Sequence, residues 1–347
     1  MLGMKSSGYS VAVVGATGLV GSEIVAVLEQ RQFPLGDLQL YASIRSAGDE
    51  VSCGTLTARV EVIEGARFAD TDLVFFAAGE QVSAQWIERA TEAGAIVIDT
   101  SPLLVEDPDV PVVVPEVNPS DIKGYTDRNV ILSPAAPAVA LAVGLKPLQA
   151  AAGIVRVVAS IFEPVSGAGR AGIAELQQQV VELMSGRSAE TSIFPHRVAF
   201  NIFPQVGELL AGGWARGESQ VAVALRRLLS EPSLPVSITS MRVPVFYGET
   251  LALNVETSTK LTASEARDIL LAAPGVLLQD TVETSEYPTA AEAVGQDATI
   301  IGRIREDESR NVLDLWMAID NLRKGAAVNA VQIAEVLVRE YSEVGSR

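Results

Sequence analysis

The stretch VAVVGATGLVG, Val11 to Gly21, decides the fold. Val11 to Val14 are small or β-branched and apolar without alternation, the pattern of a strand buried on both faces. They run directly into Gly15, Gly18 and Gly21. The apolar residues that follow, Leu19, Val20, Ile24, Val25 and Leu28, recur at helical spacing, so the glycines lie where a strand hands over to a helix N-terminus. Backbone N–H groups at such a junction can hold a pyrophosphate: the first glycine permits the turn, the second lets backbone approach the phosphates, and the third lets helix and strand pack closely. The spacing is Gly-x-x-Gly-x-x-Gly rather than the commoner Gly-x-Gly-x-x-Gly, and the alternative is a merely tight turn.

Working outward, LQLYAS, Leu38 to Ser43, is expected to be the second strand. No Asp or Glu stands at its end to take ribose hydroxyls; Ser43, Arg45 and Ser46 stand there instead, a set suited to a 2′-phosphate and hence to NADP over NAD, or else a solvated turn. DLVFFAAG, Asp72 to Gly79, is a third buried strand, whose small residues Ala78 and Gly79 let backbone lie near a cofactor. A helix over Trp86 to Gly94 and strands over Ala95 to Ser101 and Val110 to Val114 complete an alternating pattern, which implies a mostly parallel sheet with helices on both faces.

From about Pro134 the pattern changes to helices (Val139 to Ala151, Ile173 to Met184) alternating with longer strands (Ile154 to Pro164, Val236 to Tyr247, Thr250 to Thr257). VSGAGRAG, Val165 to Gly172, reads as a glycine-rich loop, and Asn321 to Tyr341 as a largely amphipathic helix.

The 347 residues suffice for two domains with real cores, and 48% hydrophobic against 20% charged residues marks a globular chain. A net charge of −17 argues against nucleic-acid or anionic-membrane partners. No apolar run long enough for a membrane span and no signal-like h-region is present, so a cytoplasmic setting is expected. The single cysteine, Cys53, excludes an internal disulfide and a cysteine-based zinc site; it reads as an apolar filler, and the single histidine, His196, as a structural hydrogen-bonding residue. No metal site is expected.

Read together, GATGLVG, YASIRSAG, FFAAG, VIDTS, VPVVVPEVN, VSGAG, FPHRVAFNIFPQV, RVPVFYG and NLRKGAAVNAVQIAE follow one another in an order that resembles the aspartate-semialdehyde dehydrogenases over nearly the whole chain. The resemblance implies an NADP-dependent homodimer with an N-terminal Rossmann domain, residues 1–133 plus 322–347, which the last helix rejoins. A central mixed-sheet catalytic-like and dimerisation domain would span 134–321. It also implies cofactor contacts from Gly15, Thr17, Gly18, Leu19, Val20, Ser43, Arg45, Ser46, Ala78, Gly79 and Gln332.

The same resemblance locates departures. ILSPAAPA, Ile131 to Ala138, puts Ala136 where the family has its Cys nucleophile and Ala135 where it has an Asn. RVPVFYGE puts Glu249 in place of the His acid/base, and Glu163 replaces a substrate-binding Gln. Val105 stands for a phosphate-binding Arg and Gln220 for a substrate Lys; Arg242 and Glu218 are retained. Oxidising an aldehyde to an acyl phosphate needs a thiolate, a base and a cationic pocket for two anions. The expectation is therefore a Usg-type homologue, inactive or altered, that keeps the NADP-binding loop and the dimer scaffold. The alternative is an NADP-dependent oxidoreductase on another carbonyl with Glu249 as acid/base. Glu163, Glu218 and Glu249 could form a carboxylate cluster with a new acid/base or metal role, or Glu249 could simply pair with Arg242.

Overall fold

The computed structural model describes residues 8–281, 283–309 and 311–340. It divides into two compact units, one of Met1–Ala135 with Ala326–Arg347 and one of Ala136–Gly325.

In the first unit, β1 (Tyr9–Val14) is the centre of a seven-stranded sheet. β2 (Leu35–Ala42) lies on one side of it and β5 (Leu73–Phe76) on the other, both parallel. β6 (Ile96–Asp99) and β7 (Val130–Leu132) extend the sheet beyond β5. β4 (Leu56–Val62) pairs parallel with β2 and antiparallel with β3 (Glu50–Cys53), which forms the edge. The strand order thus reverses at β1, and the crevice at its carboxyl end is where a doubly wound sheet binds its ligand. Helix α1 (Leu19–Gln30) follows β1, α2 (Glu80–Glu92) follows β5, and the C-terminal α8 (Asn329–Glu340) packs on α1 and β6. Apolar faces of α1 and α8 join the inner residues of β1, β2 and β5 in one core that also holds Cys53.

The second unit is a six-stranded mixed sheet in the order β11-β12-β13-β10-β8-β9. Its strands are β8 (Ile154–Glu163), β9 (Val236–Arg242), β10 (Glu249–Thr257), β11 (Val276–Leu278), β12 (Thr299–Glu306) and β13 (Val312–Ile319). Helices α3 (Ala136–Ala152), α5 (Arg216–Leu229) and α6 (Ala263–Leu271) pack on the sheet, with α4 (Gly169–Met184) beside the turn that precedes it and the short α7 (Ala290–Ala293) near β13.

Three expectations need correction. Val110 to Val114 is not a strand: Val112 makes a lone bridge to Leu132. Pro111 and Pro115 lack the N–H a ladder needs, and the Asn118 side chain serves this segment instead, donating to Val112 O at 2.8 Å and accepting from Val114 N at 3.0 Å. Val165 to Gly172 is not a loop but a 3-10 turn, Val165–Ala168, leading straight into α4. Of its three glycines Gly172 is a packing residue, since a Cβ there would lie 2.5 Å from Val165 O. Lastly, the C-terminal segment begins as a widened π turn, Arg323–Val328, and becomes regular α-helix only at Asn329; Tyr341 lies outside the described residues.

Candidate functional site

The glycine turn of the first unit has the form the sequence implies. Gly15 has φ +87°, and a Cβ there would meet Ala77 O at 2.6 Å. A Cβ on Gly18 would lie 3.1 Å, and on Gly21 2.1 Å, from Gly15 O. Gly18 is the N-cap of α1, contributes no side-chain cap, and is followed by no acid in the first turn. The first-turn N–H groups, including those of Leu19 and Val20, are thus not taken by a side-chain cap, the arrangement that attracts a phosphate. At the end of β5, Ala78 and Gly79 are exposed; Gly79 caps α2 at φ +85° with open space where a Cβ would point. These features fit a dinucleotide.

After β2 the chain makes a short 3-10 turn, Ile44–Ser46. Ser43 and Arg45 are exposed there, and Thr17 donates to Ser46 Oγ at 3.1 Å, joining the turn to the glycine loop. Arg59 adds a second guanidinium, its Nη2 lying 3.3 Å from the point a Cβ on Gly48 would occupy. Sequence reading missed Arg59 because only the β3–β4 hairpin brings it to this turn. Gln332 donates to Glu116 Oε1 at 2.9 Å.

Also missed was the cluster around Asp99. Fully buried at the carboxyl end of β6, it accepts Ser83 Oγ at 2.9 Å, Ser101 N at 3.0 Å and Ser101 Oγ at 2.7 Å. Burial pushes its carboxyl up to about 6; the hydrogen bonds from Ser101 and Ser83 oppose this, and Glu80 adds to it. The signal was the D of VIDTS, an acid inside an apolar strand.

In the second unit, the ends of three neighbouring strands bring the substituted positions together. Glu163 ends β8 opposite Arg242 of β9, and Glu249 opens β10. Arg242 Nη2 lies 3.6 Å from Glu163 Oε2, and Nη1 donates to Pro164 O. The guanidinium stands 5.5 Å over the Phe194 ring. The ion pair of Arg242 is thus with Glu163; the expected Glu249–Arg242 pairing is not what forms. Glu249 is buried and its Oε1 has no hydrogen-bond partner. Burial first, and the charge of Glu163 second, hold its carboxyl well above the usual carboxylate range, with Arg242 only partly opposing. Burial likewise raises Glu163, which Arg242 and Ser240 pull down and Glu218 pushes up. One cation stands beside two buried acids, and of the two it is Glu249 that lacks the ion pair.

Glu218 faces a different task. Its oxygens accept Ala215 N at 2.8 Å and Ser240 N at 2.9 Å, so the carboxylate closes the start of α5 and ties it to β9. Among the described residues no three His, Cys, Asp or Glu side chains are arranged to hold a metal ion.

Ala136 is the first residue of α3 and is buried. Gly325 packs directly on it: a Cβ there would lie 2.4 Å from the Ala136 methyl. Val105 is buried, with its backbone N–H turned to Pro102 O. Neither unique residue replaces the missing groups. Cys53 is in the core of the first unit, its thiol raised by burial and 3.5 Å from Val25 O. His196 is exposed and meets Phe203 edge-on at 5.7 Å, a ring contact rather than the expected hydrogen bond.

A mostly parallel sheet with a glycine turn at its switch point, and a mixed-sheet unit following it, define a scaffold whose first unit is built as a dinucleotide-binding domain. Residues 10–125 match the semialdehyde dehydrogenase NAD binding domain and residues 145–324 the semialdehyde dehydrogenase dimerisation domain. The chain is 41% identical over 334 residues to an aspartate-semialdehyde dehydrogenase of Rickettsia bellii, covering 96% of this chain and 98% of that one. The crystal structure of aspartate semialdehyde dehydrogenase II from Vibrio cholerae is similar at a TM-score of 0.93 and 40% identity, over 96% of this chain and 99% of that one. A probable aspartate-semialdehyde dehydrogenase from Pseudomonas aeruginosa gives 0.91 and 35%, over the same shares. The chain belongs to the aspartate-semialdehyde dehydrogenase family. Among the described residues no helix is long and apolar enough to cross a membrane.

Proposed function

We propose that this chain is a Usg-type member of its family that does not carry out the phosphorylating oxidation of aspartate semialdehyde, while retaining NADP binding and a homodimeric scaffold. The observation that carries this reading is the methyl group of Ala136 at the head of α3, aligned with the family's nucleophile. A methyl group forms no covalent intermediate, and losing a nucleophile in a well-studied protease cost about 10⁶ in rate. The second change reinforces it: a carboxyl stands where the family has its imidazole acid/base, and burial shifts Glu249 toward its protonated form.

The residues that would hold NADP are Gly15, Thr17, Gly18, Leu19 and Val20 around the pyrophosphate, Ser43, Arg45 and Ser46 at the 2′-phosphate, and Ala78, Gly79 and Gln332 beyond. When bound, the nucleotide supplies hydride chemistry. Homodimerisation rests on the match of 145–324 to a dimerisation domain. The proposed domain limits are 1–133 with 322–347, and 134–321.

The test is direct. Purified protein should quench and shift NADPH fluorescence on titration, yet give no phosphate-dependent NADP reduction with aspartate semialdehyde. Turnover above background would overturn the reading. A variant combining Ala136→Cys, Glu249→His and Glu163→Gln asks whether the scaffold can be returned to that chemistry.

A second reading has one observation in its favour: Glu249 leaves Oε1 buried and unpartnered, and burial shifts its carboxyl toward the protonated form that could donate to a carbonyl oxygen. It predicts NADPH oxidation with some uncharged aldehyde or ketone that Glu249→Gln abolishes. Silence across a broad carbonyl panel favours the first reading.

A further inference from the structure

Arg242 is 5% exposed, so its guanidinium is a buried cation whose partners decide what else it can bind. The positions around it are largely filled. Glu163 supplies a carboxylate at 3.6 Å, Pro164 a carbonyl, and Phe194 a ring face at 5.5 Å. A Cβ on Gly167 would come within 3.0 Å of Nη1, so the bare glycine makes room for the guanidinium to lie where it does. Its Nε is buried and without a partner. The Glu163 side chain, by contrast, is 13% exposed. Glu163 is the less buried partner of the pair, and its carboxylate already holds the place beside Arg242 that another anion would take.

We propose that Glu163 is the specificity-determining residue of this site: it is the resident carboxylate of Arg242, it excludes small carboxylate ligands, and such ligands reach the arginine only when Glu163 is neutral. An incoming carboxylate cannot share one guanidinium with an ionised Glu163 at this depth, because two like charges a few ångströms apart and poorly solvated repel more strongly than one cation compensates. Either the ligand is refused or Glu163 takes up a proton from solvent as the ligand binds. The charged and titratable groups around it are Arg242 from β9, Glu249 from β10 and Glu218 from α5. Glu218 is committed to two backbone N–H groups. His196, on the segment that carries Phe194, turns to Phe203. Burial favours the neutral form of Glu163 and of Glu249.

This rests on the reading that the site does not run the family's reaction, but it is tested without substrate or nucleotide, so the two can fail separately. The probe is trifluoroacetate, a carboxylate whose charge is constant across the useful pH range. Binding is followed by ¹⁹F line broadening and by the arginine Nε–H resonance that disappears in Arg242→Lys. In the unaltered protein at about pH 8 the resonance should not move, and affinity should rise by up to tenfold for each pH unit of acidification, the signature of one linked proton. Glu163→Gln should bind trifluoroacetate at about pH 8 with that pH dependence removed. The Glu249→Gln protein should keep the pH dependence, which assigns the proton to Glu163. Binding by the unaltered protein that is independent of pH overturns the proposal, as does a folded Glu163→Gln that binds no better. Should Glu163→Gln not fold, the pH series on the unaltered and Glu249→Gln proteins decides alone: absent or pH-independent binding refutes it.

Discussion

Asp99→Asn separates electrostatics from hydrogen bonding in the dinucleotide unit. Burial raises the Asp99 carboxyl from 3.8 to about 6, a cost to the folded state of about 3 kcal/mol at about 1.4 kcal/mol per pH unit. Because the folded value lies above the unfolded one, the stability associated with this group is fully present below pH 3.8 and is lost as pH rises through about 6. Above that, the loss is constant. Asparagine carries no such term. Its amide oxygen can still accept from Ser83 and Ser101 N, while Ser101 Oγ turns to accept from the amide, so the hydrogen-bond change is a fixed offset. The difference in unfolding free energy between the two proteins should therefore move by about 3 kcal/mol in favour of Asn between about pH 4 and pH 7, and be flat beyond. Urea unfolding read by Trp86, on the same helix as Ser83, measures it once Trp214 and Trp316 are replaced by Phe. A difference that stays constant with pH refutes the argument.

Three further outcomes are expected. Gly21→Ala places a methyl 2.1 Å from Gly15 O, so it should destabilise the first unit by about 1–3 kcal/mol in the same urea assay and abolish NADPH binding by fluorescence titration. Arg45→Ala should weaken NADPH by about tenfold or more while leaving NADH unchanged, since a charge-assisted contact to a 2′-phosphate is the one lost. Glu249→Gln should leave acid stability unchanged and stabilise the protein increasingly as pH rises above 4.5, with a slope of at most about 1.4 kcal/mol per pH unit, because burial holds the folded carboxyl above its unfolded value.

How much of this was legible depends on the range over which the determining contact acts. Val11 to Gly21 specified strand, turn and helix from adjacent residues: the neighbour that requires a glycine at position 21 is Gly15 O on the same junction, whereas Gly15 itself meets Ala77 of the distant β5 end. Val110 to Val114 looked like a strand because burial and β-branching are properties of a residue, whereas pairing needs N–H groups that Pro111 within it and Pro115 after it remove. At the candidate site, the resemblance located Glu163, Arg242 and Glu249 but not who pairs with whom. That is set by parallel register between β8 and β9, which aligns Glu163 with Arg242 across a long sequence separation. Asp99 was quoted within a strand and given no role, since nothing adjacent in sequence announces Ser83 of α2 as its partner.

The two halves of the molecule bear unequally on whether nucleotide binding persists. A Cβ on Gly21 would strike Gly15 O at 2.1 Å and one on Gly15 would strike Ala77 O at 2.6 Å, so the first is required by the packing of α1 on the β1 turn and the second by the packing of that turn on the end of β5, even in a protein that binds nothing. Their presence is evidence for the fold before it is evidence for NADP. Residues without a packing role are more informative. Ser43 and Arg45 are exposed on a 3-10 turn, and Gly79 holds a positive φ where a Cβ would point into open space. Folding alone asks little of Ser43 or Arg45, so a site facing a 2′-phosphate is the simplest physical reason for a hydroxyl and a guanidinium to stand there together. The substrate side shows the converse: Glu163 and Glu249 bring two buried carboxyls to a single arginine, an arrangement that costs stability and that packing does not require. A retained cofactor site is therefore supported by Arg45 and its neighbours and an altered second site by the acids around Arg242, each independently of the glycines that first reveal the family.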